Sequence, residues 1–376
     1  MFSNLYPVTD SKRPFYEYID SCRAHIEERR LDLGNMPQQA EIIITANTPY
    51  ELYPPHPIQS GTRLKYGALL IHGLLDSPFT LRDIGTHLQA QGIFSRSILL
   101  PGHGTQPSDL LQISYQDWIR AVQRGVDSLR QEVDQLFLIG YSTGAALSIL
   151  HALQDEHIAG IILIAPAIKI KTPTSVILKW RTLTKWLRKK NQWLCRENEI
   201  DYAKYLSVSV NAVTQVSMLT DVISQVSKQQ TLTCPLLMAL SNEDETISSR
   251  HAIDFFNRMP HQDNQLLLYT SETNTPTDPR IQTRSILELH SCIKNFSHVS
   301  LPFAPYNQHY GEEGDFANAT NSTAKDIIYG AYNRIEVDAF NFLYKLGMTK
   351  EKRRELTYNP DFDYLAETIG GFIKKY

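Results

Sequence analysis

The residue types in this chain that could do chemistry together are a serine, a histidine and a run of acids. The serine lies in Gly140-Tyr141-Ser142-Thr143-Gly144, the acids in Glu243-Asp244-Glu245 and the histidine in Ser297-His298-Val299. A serine hydroxyl is a weak nucleophile until a base takes its proton, and the base needs a third group to fix its tautomer and to stabilise the cation that forms. The G-x-S-x-G pentapeptide alone is a weak signal. Here it follows the strand-like run Leu136 to Ile139 and precedes the helical segment Ala145 to Leu153, the strand-turn-helix context such a serine requires.

The carboxylate is sought at the end of the apolar run Leu236 to Leu240, because ligand sites of parallel sheets lie at the carboxyl ends of strands. Asp244 is preferred there, with Glu243 and Glu245 as alternatives. For the base, His298 sits in a loop-like setting and is preferred over His251, His261, His290 and His309. Backbone N–H groups of Leu74 and Thr143 are the expected donors to an oxyanion.

These residues need elements to hold them. Short apolar runs with buried-strand character are Glu41 to Thr45, Ala68 to His72, Ser97 to Leu100, Leu136 to Ile139, Ile161 to Ala165, Leu236 to Leu240 and Gln265 to Tyr269, with an extra strand at Ser285 to His290. Helical spacing is clearest over Ser114 to Val133, where Ser114 and Asp117 form a capping box, and over Asp361 to Ile373. Strands alternating with helices predict an α/β fold with a mostly parallel central sheet covered on both faces. The alternation breaks over 169–232, read as an inserted helical cap with no convincing buried strand. The core is then 1–168 plus 233–376, within which 303–356 is an extension with no assigned place.

In this order, His72-Gly73-Leu74, Leu100-Pro101-Gly102-His103-Gly104, the Ser142 pentapeptide, the Asp244 loop and the His298 loop resemble the α/β-hydrolase superfamily. The likeness is greatest to its carboxylesterase, monoacylglycerol lipase and lysophospholipase branch, over about Leu64 to Ala167 and Cys234 to Pro302. The resemblance implies the triad Ser142, Asp244 and His298, backbone donors at Leu74 and Thr143, and a cap where 169–232 falls. It gives His103 a structural or pocket-lining place, and His72, Trp180 and Trp186 join it as expected pocket-lining residues. Three features depart from the pattern: the 54-residue interval from Asp244 to His298, the extension, and Leu75, where many relatives have a small residue.

At 376 residues, a norm of about 150 per domain would give two to three domains, and one large domain with an insertion fits as well. Apolar residues make up 42% and charged ones 20%, ordinary globular usage, and a formal charge of −3 gives no reason to expect a nucleic-acid partner. Four scattered cysteines, the charged residues among the first thirty positions and the lack of a long apolar run point to a cytoplasmic protein. There is no H-E-x-x-H, P-loop or G-x-G-x-x-G, so no metal or cofactor is expected. From Lys169 to Lys190 the chain carries eight basic residues and no acid. We read this as a cap helix covering the active site with solvated lysines, and as offering at most weak contact to an anionic membrane surface. The expectation is a serine hydrolase that cleaves carboxylic esters with apolar acyl chains through an acyl-enzyme. The alternatives are a non-catalytic binding protein of the same fold, or a thioesterase, amidase, peptidase or acyltransferase with the same triad.

Overall fold

The structure, a computed structural model, describes residues 6–35, 37–55, 62–171, 192–272, 276–285, 292–316, 327–332, 334–349 and 352–376. In chain order the first half holds α1 (Phe15–Arg29), α2 (Ala40–Asn47), β1 (Glu51–Leu52), β2 (Leu64–Ile71), α3 (Arg82–Ala90), β3 (Phe94–Ile98), α4 (Tyr115–Leu129), β4 (Val133–Tyr141), α5 (Thr143–Ala152) and β5 (Gly160–Ile164). After it come β6 (Trp193–Cys195), β7 (Val208–Ser209), α6 (Val210–Val226), β8 (Leu236–Ser241), α7 (Ser249–Arg258), β9 (Gln265–Thr270), β10 (Ile281–Ser285), β11 (Ile327–Gly330), α8 (Arg334–Lys345), β12 (Lys352–Glu355) and α9 (Phe362–Lys374).

The main sheet runs β1-β3-β2-β4-β5-β8-β9-β10, parallel throughout except for β1. Alternation along each strand divides the core between its two faces. Leu136 and Leu138 of β4 pack with α1, α4, α5, α6 and α7, whereas Phe137 and Ile139 pack with α3 and α9. The strands read as unbroken apolar runs because both faces are covered. The sheet and its two helical layers are the α/β architecture expected from the sequence.

Four local expectations are corrected. Glu41 to Thr45 is helix, within α2: Ile43, Ile44, Ala46 and Asn47 are buried while Ile42 and Thr45 are exposed, a helical spacing that outweighs the β-branched run. The strand over Ser97 to Leu100 lies earlier, as β3. The helix expected to reach Val133 ends at Leu129, and Val133 opens β4; its capping box is present, with Asp117 Oδ2 accepting the Ser114 N–H at 2.9 Å. The extra strand is β10, at Ile281–Ser285 rather than Ser285 to His290, of which residues 286–290 lie outside the described residues. It pairs parallel to β9 at the sheet edge, where one exposed flank suits a polar sequence.

Within the inserted segment the described part is a short antiparallel pair, β6 with β7, followed by α6. The core of the basic stretch, with Trp180 and Trp186, lies outside the described residues. The C-terminal extension now has a place. Strands β11 and β12 pair in parallel, and this unit docks on the loop before His298: Lys294 N–H donates to Tyr329 O and the Ser297 hydroxyl to Leu356 O. No helix among the described residues is long and apolar enough to cross a membrane.

Candidate active site

Strand β4 delivers the chain to Ser142, and α5 leaves from it. Ser142 has φ 51° and ψ −110°, left-handed backbone that a non-glycine residue adopts only under strain. Close approach explains the flanking glycine: a Cβ on Gly144 would lie 2.6 Å from the His72 carbonyl oxygen and nearer still to that of Ile71. The turn therefore sits directly against the end of β2.

The sequence-predicted serine, histidine and preferred acid meet. Ser142 Oγ is 2.9 Å from His298 Nε2, and His298 Nδ1 is 2.6 Å from Asp244 Oδ2. All three are buried. Asp244 Oδ1 accepts the N–H groups of Thr246 and Ile247, each at 2.8 Å, and Lys171 Nζ donates to the Asp244 carbonyl. Burial works to lower the His298 pKa, but the charge and hydrogen bond of Asp244, joined by Glu245, outweigh it and leave the imidazole above its usual 6.5. In its neutral form the ring donates from Nδ1 to Asp244 and accepts the Ser142 hydroxyl proton at Nε2.

The alternative acids do other work. Glu243 Oε1 accepts from Ser271 N–H at 2.9 Å and from its hydroxyl at 2.7 Å, tying the loop to the end of β9. Glu245 accepts the His298 main-chain N–H at 3.0 and 3.2 Å, while the Tyr141 hydroxyl donates to the His298 carbonyl at 3.2 Å. His251 lies exposed beside Ser248, His261 Nδ1 accepts the Asp263 N–H, and His290 lies outside the described residues.

Thr143 is the first residue of α5, so its N–H has no intrahelical acceptor. Leu74 sits in a loop pinned on either side of Leu75, whose N–H donates to His103 Nε2 at 3.1 Å and whose carbonyl accepts from Tyr205 N–H at 2.8 Å. Leu75 takes φ 69° there. His103 is presented by Gly102 and Gly104, both at positive φ. His72 Nδ1–H donates to Gly73 O at 2.8 Å, and its Nε2 accepts the Leu100 N–H at 3.0 Å. Burial pushes the His72 pKa far down and that of His103 to about 4, so both are neutral struts between the two loops.

Beside the triad lies a cavity of about 70 Å³, walled by Val299, Phe303, Tyr310, Asp76, Lys204 and Glu355 among others, but by neither His72 nor His103. Its charged walls gave no local sequence signal, because they come from three distant segments. Asp76 is 6% exposed, and it and Lys204 act on each other through their charges, with no hydrogen bond or ion pair to either among the described residues. Burial pushes the Asp76 carboxyl up to about 6, against Lys204 and His298; it pushes Glu355 up to about 7, with Glu245 adding to the rise. Asp201 of the inserted segment is also in this wall, where it accepts from the Tyr310 hydroxyl at 2.6 Å and meets His309 at 3.0 Å, which also contacts Asp315. No group of three or more potential metal-ligating side chains stands together among the described residues.

Residues 65–271 match the family described as serine aminopeptidase, S33. The chain is 24% identical over 243 residues to the thermostable monoacylglycerol lipase of Bacillus sp. (strain H-257), covering 61% of this chain and 95% of that protein. It is 23% identical over 206 residues to a carboxylesterase of Bacillus subtilis (strain 168), covering 54% and 81%. Among solved structures, one from work on LipS and LipT, two metagenome-derived lipolytic enzymes, aligns with a TM-score of 0.50 at 22% identity, over 59% of this chain and 86% of that one; it speaks to the fold. With more than half its length matched and the sheet, turn and loops in the expected places, the chain belongs to the S33 serine aminopeptidase family of α/β hydrolases.

Proposed function

We propose that this protein is a serine hydrolase that cleaves carboxylic esters with apolar acyl chains through an acyl-enzyme. Ser142 Oγ attacks the ester carbonyl carbon as its proton passes to His298 Nε2, and the imidazolium is held by Asp244. The N–H groups of Leu74 and Thr143 receive the developing oxyanion. Collapse breaks the bond to the alkoxide, which takes the proton from His298. Water then enters by the same route in reverse, releasing the acid and restoring Ser142.

The observation that carries this reading is the pair of contacts at 2.9 and 2.6 Å joining Ser142, His298 and Asp244 in buried surroundings. The relatives named as monoacylglycerol lipase and carboxylesterase support an ester rather than an amide. A fluorophosphonate reagent should label the wild type and not Ser142→Ala, and p-nitrophenyl esters from acetyl to palmitoyl should be hydrolysed with a preference for longer chains. A wild type that is neither labelled nor active on any of these esters would refute the proposal.

A further inference from the structure

Leu74, the oxyanion donor proposed in the loop after β2, is held at one remove. Its N–H has no hydrogen-bond partner among the described residues, as a donor kept for substrate must. The next residue, Leu75, takes φ 69°, left-handed backbone that a bulky side chain adopts only where its surroundings over-determine it. Both main-chain groups of Leu75 are taken up from outside the loop: its N–H donates to His103 Nε2 at 3.1 Å, and its carbonyl accepts the Tyr205 N–H at 2.8 Å.

Tyr205, a buried residue of the inserted segment, stands behind both of these grips. Its ring lies parallel to that of His103, with centroids 6.3 Å apart and planes 6° from parallel. Its hydroxyl accepts the Thr105 N–H at 2.7 Å and donates to Gly102 O at 3.4 Å, holding the main chain on either side of His103. Thr105 is fixed in turn by its own hydroxyl, which donates to Asp109 at 2.6 Å, and Asp109 by a two-pronged pair with Arg29 of α1. The stretch that carries Tyr205 is fastened as well. Tyr202 O accepts from Asn47 at 2.7 Å and from Arg30 at 3.0 Å, and the Glu199 carboxylate accepts the Leu206 and Ser207 N–H groups at 2.8 and 2.9 Å.

A ring that only filled space at this point would need no hydroxyl, and this hydroxyl is spent on the main chain of the loop that supplies His103. We infer that Tyr205 of the inserted segment is a positioning residue for the reaction: it sets the Leu74 N–H for the oxyanion through Leu75 directly, and through His103 by way of residues 102–105. This deepens the proposed ester hydrolysis and rests on it. Acylation of Ser142 then depends on how the inserted segment is seated, although Tyr205 makes no hydrogen bond to any member of the triad.

Tyr205→Phe tests this, because it removes the hydroxyl and keeps both the ring beside His103 and the main-chain bond to Leu75. On p-nitrophenyl butyrate it should lower kcat about tenfold with KM unchanged, a fraction of the roughly hundredfold or greater loss that removing a whole oxyanion donor causes. Butane-1-boronic acid forms a tetrahedral boronate on Ser142 Oγ that directs an oxygen at the same N–H groups, and it should bind the variant about tenfold more weakly. The acidic limb of the kcat/KM profile should stay at its wild-type pH. Tyr202→Phe is the control: it lies on the same stretch with its ring against His309 and its hydroxyl without a hydrogen-bond partner among the described residues, and it should match wild type throughout. Wild-type kcat in Tyr205→Phe would overturn the inference. So would a fall in kcat that the boronic acid affinity does not share, since a smaller folded fraction lowers kcat and not affinity, or one accompanied by a shifted acidic limb, which would put the effect at His298. A wild type inert on every ester would refute the hydrolase reading and this inference with it, whereas an active wild type with an indifferent Tyr205→Phe refutes this inference alone.

Discussion

Gly144→Ala should separate the geometry of the serine turn from its composition. The added Cβ would stand 2.6 Å from the His72 carbonyl oxygen and from the Ile71 carbonyl carbon, and both are main chain, which cannot rotate away. Ordinary contact between such atoms needs about 3.5 Å, and the Ile71 carbonyl oxygen stands nearer still, so α5 and the end of β2 must part by at least about 1 Å. Ser142 and Thr143 open α5 and would move with it, stretching the 2.9 Å contact from Ser142 Oγ to His298 Nε2 and displacing the Thr143 N–H. A misplacement of that size costs about a hundredfold in rate. Overpacking costs about 1–3 kcal/mol, or several degrees of melting temperature at roughly 2–4 °C per kcal/mol. Gly371→Ala is the matched control: nothing lies within 4 Å of its Cβ position in α9, so helix propensity should raise stability by up to about 1 kcal/mol with the rate unchanged. The measurements are p-nitrophenyl butyrate hydrolysis and thermal melting of both variants. Wild-type rate and melting temperature in Gly144→Ala would show that the close approach does not hold the nucleophile in place.

Other outcomes follow from neighbouring contacts. Asp244→Asn keeps Oδ1 for the Thr246 and Ile247 N–H groups but removes the anion facing Nδ1, and should lower kcat by about 10³–10⁴ with little change in folding, checked by kinetics and melting. Attack requires neutral His298, so activity should fall as pH drops through a pKa above 6.5. Of the charges around that ring, Asp244 and Glu245 raise its pKa and Lys204 lowers it, with Asp76 and Glu355 also within reach. Glu245→Gln should therefore shift the acidic limb of the kcat/KM profile down and Lys204→Met should shift it up; equal limbs in both would refute the account. Arg96, fully buried, pairs with Glu51 and Glu132 and donates to the Ser128 hydroxyl at 2.9 Å. Arg96→Met should cost about 3–5 kcal/mol, read by denaturant unfolding, because it strands a largely buried Glu51.

What could be read without coordinates follows from how far each signal reaches along the chain. Strands β2, β4, β5, β8 and β9 announce themselves because both faces are buried, and α4 because its cap and apolar stripe are local. In α2 the β-branched content of the isoleucines competes with their helical spacing, and β10 lies earlier than its expected place because an edge strand can afford Gln282 and Arg284. The extension offered no local signal. Its order rests on partners far away in sequence, such as Ser297 with Leu356, Asp201 with His309 and Asp83 with the Ala304 N–H. The same holds for the cavity, whose charged walls stand at positions 76, 201, 204 and 355.

The three consecutive acids show most clearly where type and spacing stop deciding. Any of Glu243, Asp244 and Glu245 could reach a histidine, and two of them do: Asp244 meets the His298 ring and Glu245 its main-chain N–H, while Glu243 holds the end of β9. What assigns these tasks is the path of the loop, and that path is set from outside it. The start of the inserted segment lies along it, with Lys171 N–H donating to Thr246 O at 3.1 Å, Ser248 N–H to Lys169 O at 2.8 Å, and Lys171 Nζ to Asp244 O. The first two cations of the basic stretch are thus at the acid loop, one through its main chain and the other through both main chain and side chain. The start of the inserted segment and the loop that carries Asp244 are therefore mechanically one unit. A change at Lys171 should reach the reaction through Asp244 even though Lys171 touches neither Ser142 nor His298.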